Sequence, residues 1–197
     1  MEKIFDALIN SFVENRVGIT QQFLSEELAS HLKVNLQRLY KNEVFKQAGT
    51  GNDMLVVRDQ LVRSDEIYWL DRKHNDATEN VFFDLMDEFV VYLNKECFTG
   101  ICGYEFHYTR YEKGSFYKKH IDQFQKHGNR AYSMVMYLNE NWEIADGGEL
   151  CIHHPHEKQL ISPLNRRAVF FKSSELAHEV MTTQVPRLSI TGWFKTS

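Results

Sequence analysis

The spacing of apolar residues changes once along this chain, and that change constrains the fold more than any other feature. Up to residue 97 it follows a helical repeat; from about residue 101 it alternates. In residues 2–14, Ile4, Phe5, Leu8, Ile9 and Phe12 recur at the interval that lines one face of a helix. Leu28, Leu32, Leu36 and Leu39 do so over 25–41. Phe82, Leu85, Met86, Phe89, Val90 and Leu93 do so over 78–97. Between the first two helices, VGITQQFLS reads as a strand or an extended link. The period of two then places strands near 104–111, 116–121, 132–138, 148–153, 167–172, 178–182 and 187–195, with turns at EKGS, ADGG and SPLN. Helices followed by antiparallel strands predict a mainly β fold with supporting α-helices, and its curled two-sheet form is a jelly roll.

The 197 residues contain no linker, repeat or low-complexity run. The expected organisation is one domain over 1–197, with helical support in 1–100 and the jelly roll in 101–197. Residues 48–75, 28 in all, are long for a structureless connection. We expect some strand there and a lid-like role. Fourteen Phe, nine Tyr and three Trp suit strands and a bulky core.

A net charge of −4 gives no broad basic surface, so nucleic-acid binding is not expected. The start, MEKIFDALINSFVENR, is amphipathic rather than a signal peptide, and no later run reaches membrane-span length. Cys97, Cys102 and Cys151 are odd in number and lack a C-x-x-C pattern. Reduced thiols and a cytoplasmic location are expected.

One segment carries chemistry. In FYKKHIDQF, His120 and Asp122 stand two apart and share a strand face. A carboxylate turned into a core needs a partner or a metal. A solvent-exposed pair on the outer face is the open alternative. A two-histidine, one-carboxylate site needs a second imidazole. His153, His154 and His156 in CIHHPHEK read as surface histidines with adventitious metal affinity. His178, opening an apolar strand in SSELAHEVM, could enter the barrel and face His120. That donor set suits Fe(II), leaving one octahedral face open. A zinc hydrolase would need a base, and Glu179, the obvious neighbour, should point away on the strand. Arg187, nine residues after His178, needs an anion if it points inward. Either a keto-acid carboxylate or a buried Asp or Glu would serve.

Together these segments resemble the Fe(II)- and 2-oxoglutarate-dependent dioxygenases, and within them the prolyl 4-hydroxylase group. The branch with the oxygen-sensing prolyl hydroxylases of animals and their bacterial relatives is the nearest in pattern. YEKGSFYKKHID resembles the tyrosine, glycine, tyrosine and H-x-D signature. AYSMVMYLNENWEIADGGEL is similar to the next strand, turn and paired glycines. AVFFKSSELAHEVMTTQVPRLSITGWF resembles the closing histidine, arginine and tryptophan run. VRSDEIYWL is similar to an arginine-glycine-aspartate segment, with Ser64 in the glycine's place.

The resemblance implies a double-stranded β-helix (jelly roll, cupin-like) core packed on N-terminal helices. It implies iron ligands His120, Asp122 and His178, with Arg187 and Tyr137 gripping the far carboxylate of 2-oxoglutarate and Thr191 near it. Tyr111 would approach the cosubstrate. Tyr117 would stand near the substrate mouth; Trp193 is a further candidate there, though it reads first as core or barrel-end packing. An Asp65–Arg130 salt bridge would tie the lid-like segment to the barrel mouth. The implied cofactors are Fe(II), 2-oxoglutarate and O2, with L-ascorbate as reductant. The implied reaction hydroxylates C4 of a prolyl residue in a protein, releasing succinate and CO2; free amino acids, lysyl residues or small metabolites are the alternative substrates, and a non-catalytic metal-binding sheet protein is the alternative of another class. A translation component is an implied partner, and a monomer or weak dimer the expected state.

Overall fold

The structure, a computed structural model, describes residues 1–49, 60–122 and 129–196. Part of the lid-like segment, 50–59, and residues 123–128 after the H-x-D lie outside the described residues.

Helix α1 (Glu2–Asn15) leads into β1 (Val17–Thr20), then α2 (Glu26–Lys41). Ser25 caps α2 by accepting from the Leu28 amide, satisfying one of the amides the first turn leaves free. Strands β2 (Lys46–Gln47) and β3 (Glu66–Trp69) precede α3 (Ala77–Cys97), whose first turn Asp76 caps. Then follow β4 (Ile101–Tyr111), β5 (Tyr117–His120), β6 (Arg130–Tyr137), β7 (Leu150–His153), β8 (Lys158–Ile161), β9 (Ala168–Lys172), β10 (Ala177–Val180) and β11 (Arg187–Thr196).

Two sheets result. The large one runs β1-β9-β6-β11-β4-β3-β2 and the small one β5-β10-β7-β8. The pairings between named strands are antiparallel. This is the double-stranded β-helix that the resemblance implies, with helices against the large sheet as the change of period predicts. The apolar stripes of α1, α2 and α3 meet one face of that sheet in an aromatic-rich core that includes Phe5, Phe23, Phe82, Phe89, Phe106, Phe170 and Phe194. Strand alternation sends Val135, Tyr137, Val169 and Phe171 to the opposite face, where they meet Leu150, Ile152 and Val180 of the small sheet.

VGIT is a true strand, paired with β9 as Val17↔Phe171 to Thr20↔Ala168. Within 48–75, β3 pairs with β2 and with β4. Farther on, the Ser64 amide donates to the Phe116 carbonyl and the Lys118 amide to the Val62 carbonyl. This segment therefore covers the edge of β5, which would otherwise be open. Ser64 needs no glycine: its hydroxyl accepts from the Phe116 amide at 3.1 Å. Strand β8 was not anticipated. KQLI has a weak apolar signal, since only Ile161 of the four is buried.

Candidate active site

A cavity of about 940 Å³ opens between the sheets. Strand β10 pairs with β5 so that His178 stands opposite His120. Asp122 lies two residues past the end of β5, on the same side as His120. The strand expected to 121 stops at His120, and the bend brings the carboxylate round. Asp122 Oδ1 lies 3.4 Å from His120 Nε2 and 3.6 Å from His178 Nε2.

Both imidazoles are oriented from behind. His120 Nδ1–H donates to the Lys118 carbonyl at 2.8 Å, and His178 Nδ1–H to the Leu176 carbonyl at 3.1 Å. Each Nε2 lone pair is thereby aimed at the shared point. The other Asp122 oxygen accepts from Ser133 Oγ at 2.6 Å, and Ser173 Oγ lies 2.8 Å from Ser133 Oγ. Neither serine was singled out from the sequence. The available signal was period two on β6, which sets Ser133, Val135 and Tyr137 on one face.

Burial opposes charge on all three groups. On Asp122, attraction to His178 and hydrogen bonds from both imidazoles outweigh burial and hold the carboxyl well below its ordinary range. His178 is opposed by burial but raised overall by Asp122. His120 is lowered, by burial first. The set suits a divalent cation: a fixed carboxylate, a neutral imidazole and a second imidazole that needs the anion beside it. Cis ligands on bonds of about 2.1 Å lie about 3 Å apart, close to the observed separations. The cluster presents two nitrogens and one oxygen from one side, a donor set that fits ferrous iron.

Deeper in, Arg187 is 1% exposed. Its Nε donates to the Gly148 carbonyl at 2.8 Å and Nη1 to Ser189 Oγ at 3.4 Å. Its guanidinium carbon lies 5.0 Å from the ring centres of both Tyr111 and Tyr137. Among the described residues no carboxylate pairs with it. Gly148, at φ +67°, lets this happen: a Cβ there would sit 3.1 Å from Arg187 Cδ. Tyr137 is fully buried and its hydroxyl has no hydrogen-bond partner among the described residues. A buried cation and a buried hydroxyl, both under-satisfied and adjacent, mark a place built for an anion. Burial raises the Tyr111 and Tyr137 phenols, so both keep a proton to donate.

Thr191 lines the same cavity, and its hydroxyl accepts from Thr109 Oγ1 at 3.3 Å. Tyr117 stacks on His120 with centroids 3.5 Å apart, and burial pushes its phenol up to about 12. Trp193 lines the outer part of the cavity, under the Arg130 guanidinium at 3.6 Å. Its buried Nε1 lacks a partner among the described residues.

The expected Asp65–Arg130 salt bridge is not formed. Fully buried Asp65 is held by Arg63 through both oxygens, at 2.8 and 2.6 Å. Arg130 instead pairs with Glu105 at 2.6 Å. Arg63 stands two residues from Asp65 on the same extended segment, so the local fork closes without bringing a distant strand over. Arg63, the arginine of VRSDEIYWL, was given no role from the sequence; its guanidinium also lies over the Tyr117 ring at 4.2 Å. His107, also given none, is buried beside Thr109.

Residues 106–195 match the family model described as the 2OG-Fe(II) oxygenase superfamily. A Pseudomonas putida prolyl-4-hydroxylase superposes with a TM-score of 0.88 at 27% identity, over 98% of this chain and all of that one. A Trichoplax adhaerens prolyl hydroxylase, solved with a hypoxia-inducible factor peptide fragment, shares the fold at a TM-score of 0.86 and 23% identity, over 98% and 90% of the two chains. The hypoxia-inducible factor prolyl hydroxylase of Caenorhabditis elegans is 29% identical over 97% of this chain, which spans only 28% of that relative's length. The match over residues 106–195 spans the strand-rich half of the chain, which is similar there to the 2OG-Fe(II) oxygenase superfamily. Within it, the similarities fall in the prolyl 4-hydroxylase group. No helix among the described residues is long and apolar enough to cross a membrane.

Proposed function

We propose that this protein is an Fe(II)- and 2-oxoglutarate-dependent dioxygenase that hydroxylates C4 of a prolyl residue in a peptide or protein. The observation that carries the reading is the pairing of a convergent two-histidine, one-carboxylate cluster with a buried, uncompensated arginine in one cavity. His120, Asp122 and His178 would hold the iron. Arg187 would grip the distal carboxylate of the keto acid, with the Tyr137 hydroxyl completing that grip. When bound, iron and 2-oxoglutarate supply oxidative decarboxylation coupled to insertion of one oxygen atom from O2 into a C–H bond.

The chain's own part is placement and exclusion. The Lys118 and Leu176 carbonyls fix the imidazole tautomers, and Ser133 holds the second Asp122 oxygen so that only one faces the metal position. Tyr111 and Tyr137, kept as phenols, can donate but not repel an anion. Tyr117 shields one face of His120. Residues 60–69 wall the outer cavity with Val62, Arg63, Asp65, Ile67 and Trp69, leaving an apolar and aromatic mouth suited to an extended peptide. The reading also includes ascorbate as reductant and a translation component among the targets.

The test is anaerobic loading with Fe(II) and 2-oxoglutarate, then oxygen exposure with the source proteome. Mass spectrometry should find a prolyl site heavier by one oxygen atom, with stoichiometric succinate. Asp122→Ala should lose both. Hydroxylation confined to lysyl residues or free amino acids would overturn the substrate assignment.

A further inference from the structure

The small sheet carries a second donor cluster on its outer face. Strand β10 pairs with β7 so that Glu179 lies opposite Cys151, and His153 stands two residues beyond Cys151 on the same face. Alternation turns His178 and its partner Ile152 inward and these three outward. His153 Nε2 lies 2.9 Å from Glu179 Oε1 and 3.9 Å from Cys151 Sγ. The donor atoms all fall within 4.8 Å of one another. Cys151 is buried, whereas the His153 and Glu179 side chains are 13% and 23% exposed, so an ion could enter from solvent.

We propose that Cys151, His153 and Glu179 form a zinc(II) site, separate from the inner cluster. Thiolate, imidazole and carboxylate are the donors zinc takes, and three from the protein leave its fourth tetrahedral position to water. Bonds of about 2.0–2.3 Å set tetrahedral donors about 3.3–3.6 Å apart, so the His153–Glu179 and His153–Cys151 pairs need to move by about half an ångström or less, and Cys151 and Glu179 already lie within 4.8 Å. Softness of the thiolate selects against magnesium and calcium, and the general affinity order of divalent ions places zinc above ferrous iron. Binding displaces the Cys151 thiol proton to solvent, moves the neutral His153 proton from Nε2 to Nδ1 through solvent exchange, and replaces the His153–Glu179 hydrogen bond with two metal bonds. The Lys158 ammonium, 3.9 Å from Glu179, is the nearby positive charge, and its exposed side chain is free to withdraw. His154 is not part of the site: its Nε2 bonds Gln159 Oε1 at 3.0 Å. The ion would tie β7 to β10, the strand that carries His178.

The proposal does not rest on the dioxygenase reading, and its test uses no turnover. Cobalt(II) is the probe, because a cobalt–thiolate bond absorbs by charge transfer in the near ultraviolet. The full chain carrying Asp122→Ala, without an affinity tag, is expected to bind one equivalent of Co2+ with that band, and Zn2+ should abolish it. Adding Cys151→Ser should remove the band, and adding Glu179→Gln should weaken binding at least about tenfold. Zn2+ should raise the melting midpoint of the Asp122→Ala protein but not of the same protein with His153→Ala, which decides the matter should the serine variant fold poorly. Co2+ uptake without a thiolate band, a band that survives Cys151→Ser, or equal zinc shifts in both proteins would overturn the assignment.

Discussion

Arg187 and Arg63 line the same cavity, yet they are opposite kinds of arginine. Arg63 is matched: its fork holds both oxygens of Asp65, and Tyr117 lies under it. Arg187 is more deeply buried and has a backbone carbonyl, a serine hydroxyl and two aromatic rings, but no carboxylate among the described residues. A matched pair holds architecture, and breaking it leaves a stranded charge. An unmatched one is expensive until something else arrives. On the proposed reading, the matched cation serves the architecture and the unmatched one a ligand.

The difference predicts opposite responses to the same substitution. Arg63→Met should destabilise by about 3–5 kcal/mol, because the Asp65 carboxylate is left buried and alone. Arg187→Met should be neutral or stabilising in the absence of cosubstrate. Denaturant melts of both variants check this; a large loss in the Arg187 variant would mean that it, too, is architectural.

Next in size is His107, beside Thr109 on the cavity wall. Burial first, then the Arg63 charge, lowers it from 6.5 to about 4. The unfolded chain therefore binds a proton that the folded one refuses. Stability is full above pH 6.5 and falls as pH drops toward 4, by up to about 3 kcal/mol from this group. His107→Gln should flatten that part of the pH–stability curve. An unchanged slope would show that the imidazole takes up its proton in the fold.

Smallest is Arg130, a matched arginine in a half-exposed place. Its pair with Glu105 is shared with Lys195, which also contacts that carboxylate. Arg130→Ala should cost about 1 kcal/mol or less in a melt. A cost as large as that of Arg63→Met would place Arg130 in the same class.

These arginines also show what a sequence can display. The sheet and helix periods were legible because burial acts on every second or every third and fourth residue. His178 and Arg187 could be picked out because each is a polar residue beside an apolar strand run, and His120 and Asp122, in the polar run YKKHIDQ, because their spacing of two shares a strand face and matches the family signature. Asp65 drew attention too, but its partner did not. Pairing depends on where loops carry a side chain, and a neighbour two residues away won over a distant strand. Ser133 carried too ordinary a side chain to stand out. Strand β8 was missed because an edge strand with one buried residue barely alternates.

The most direct measurement is anaerobic titration of the Fe(II)-loaded protein with 2-oxoglutarate, in the parent and in Arg187→Ala. Removing one partner of a buried charge pair costs about 2 kcal/mol or more, so the variant's Kd should rise at least about 30-fold. An unchanged Kd would contradict the account, because the uncompensated cation would then have no part in holding the cosubstrate.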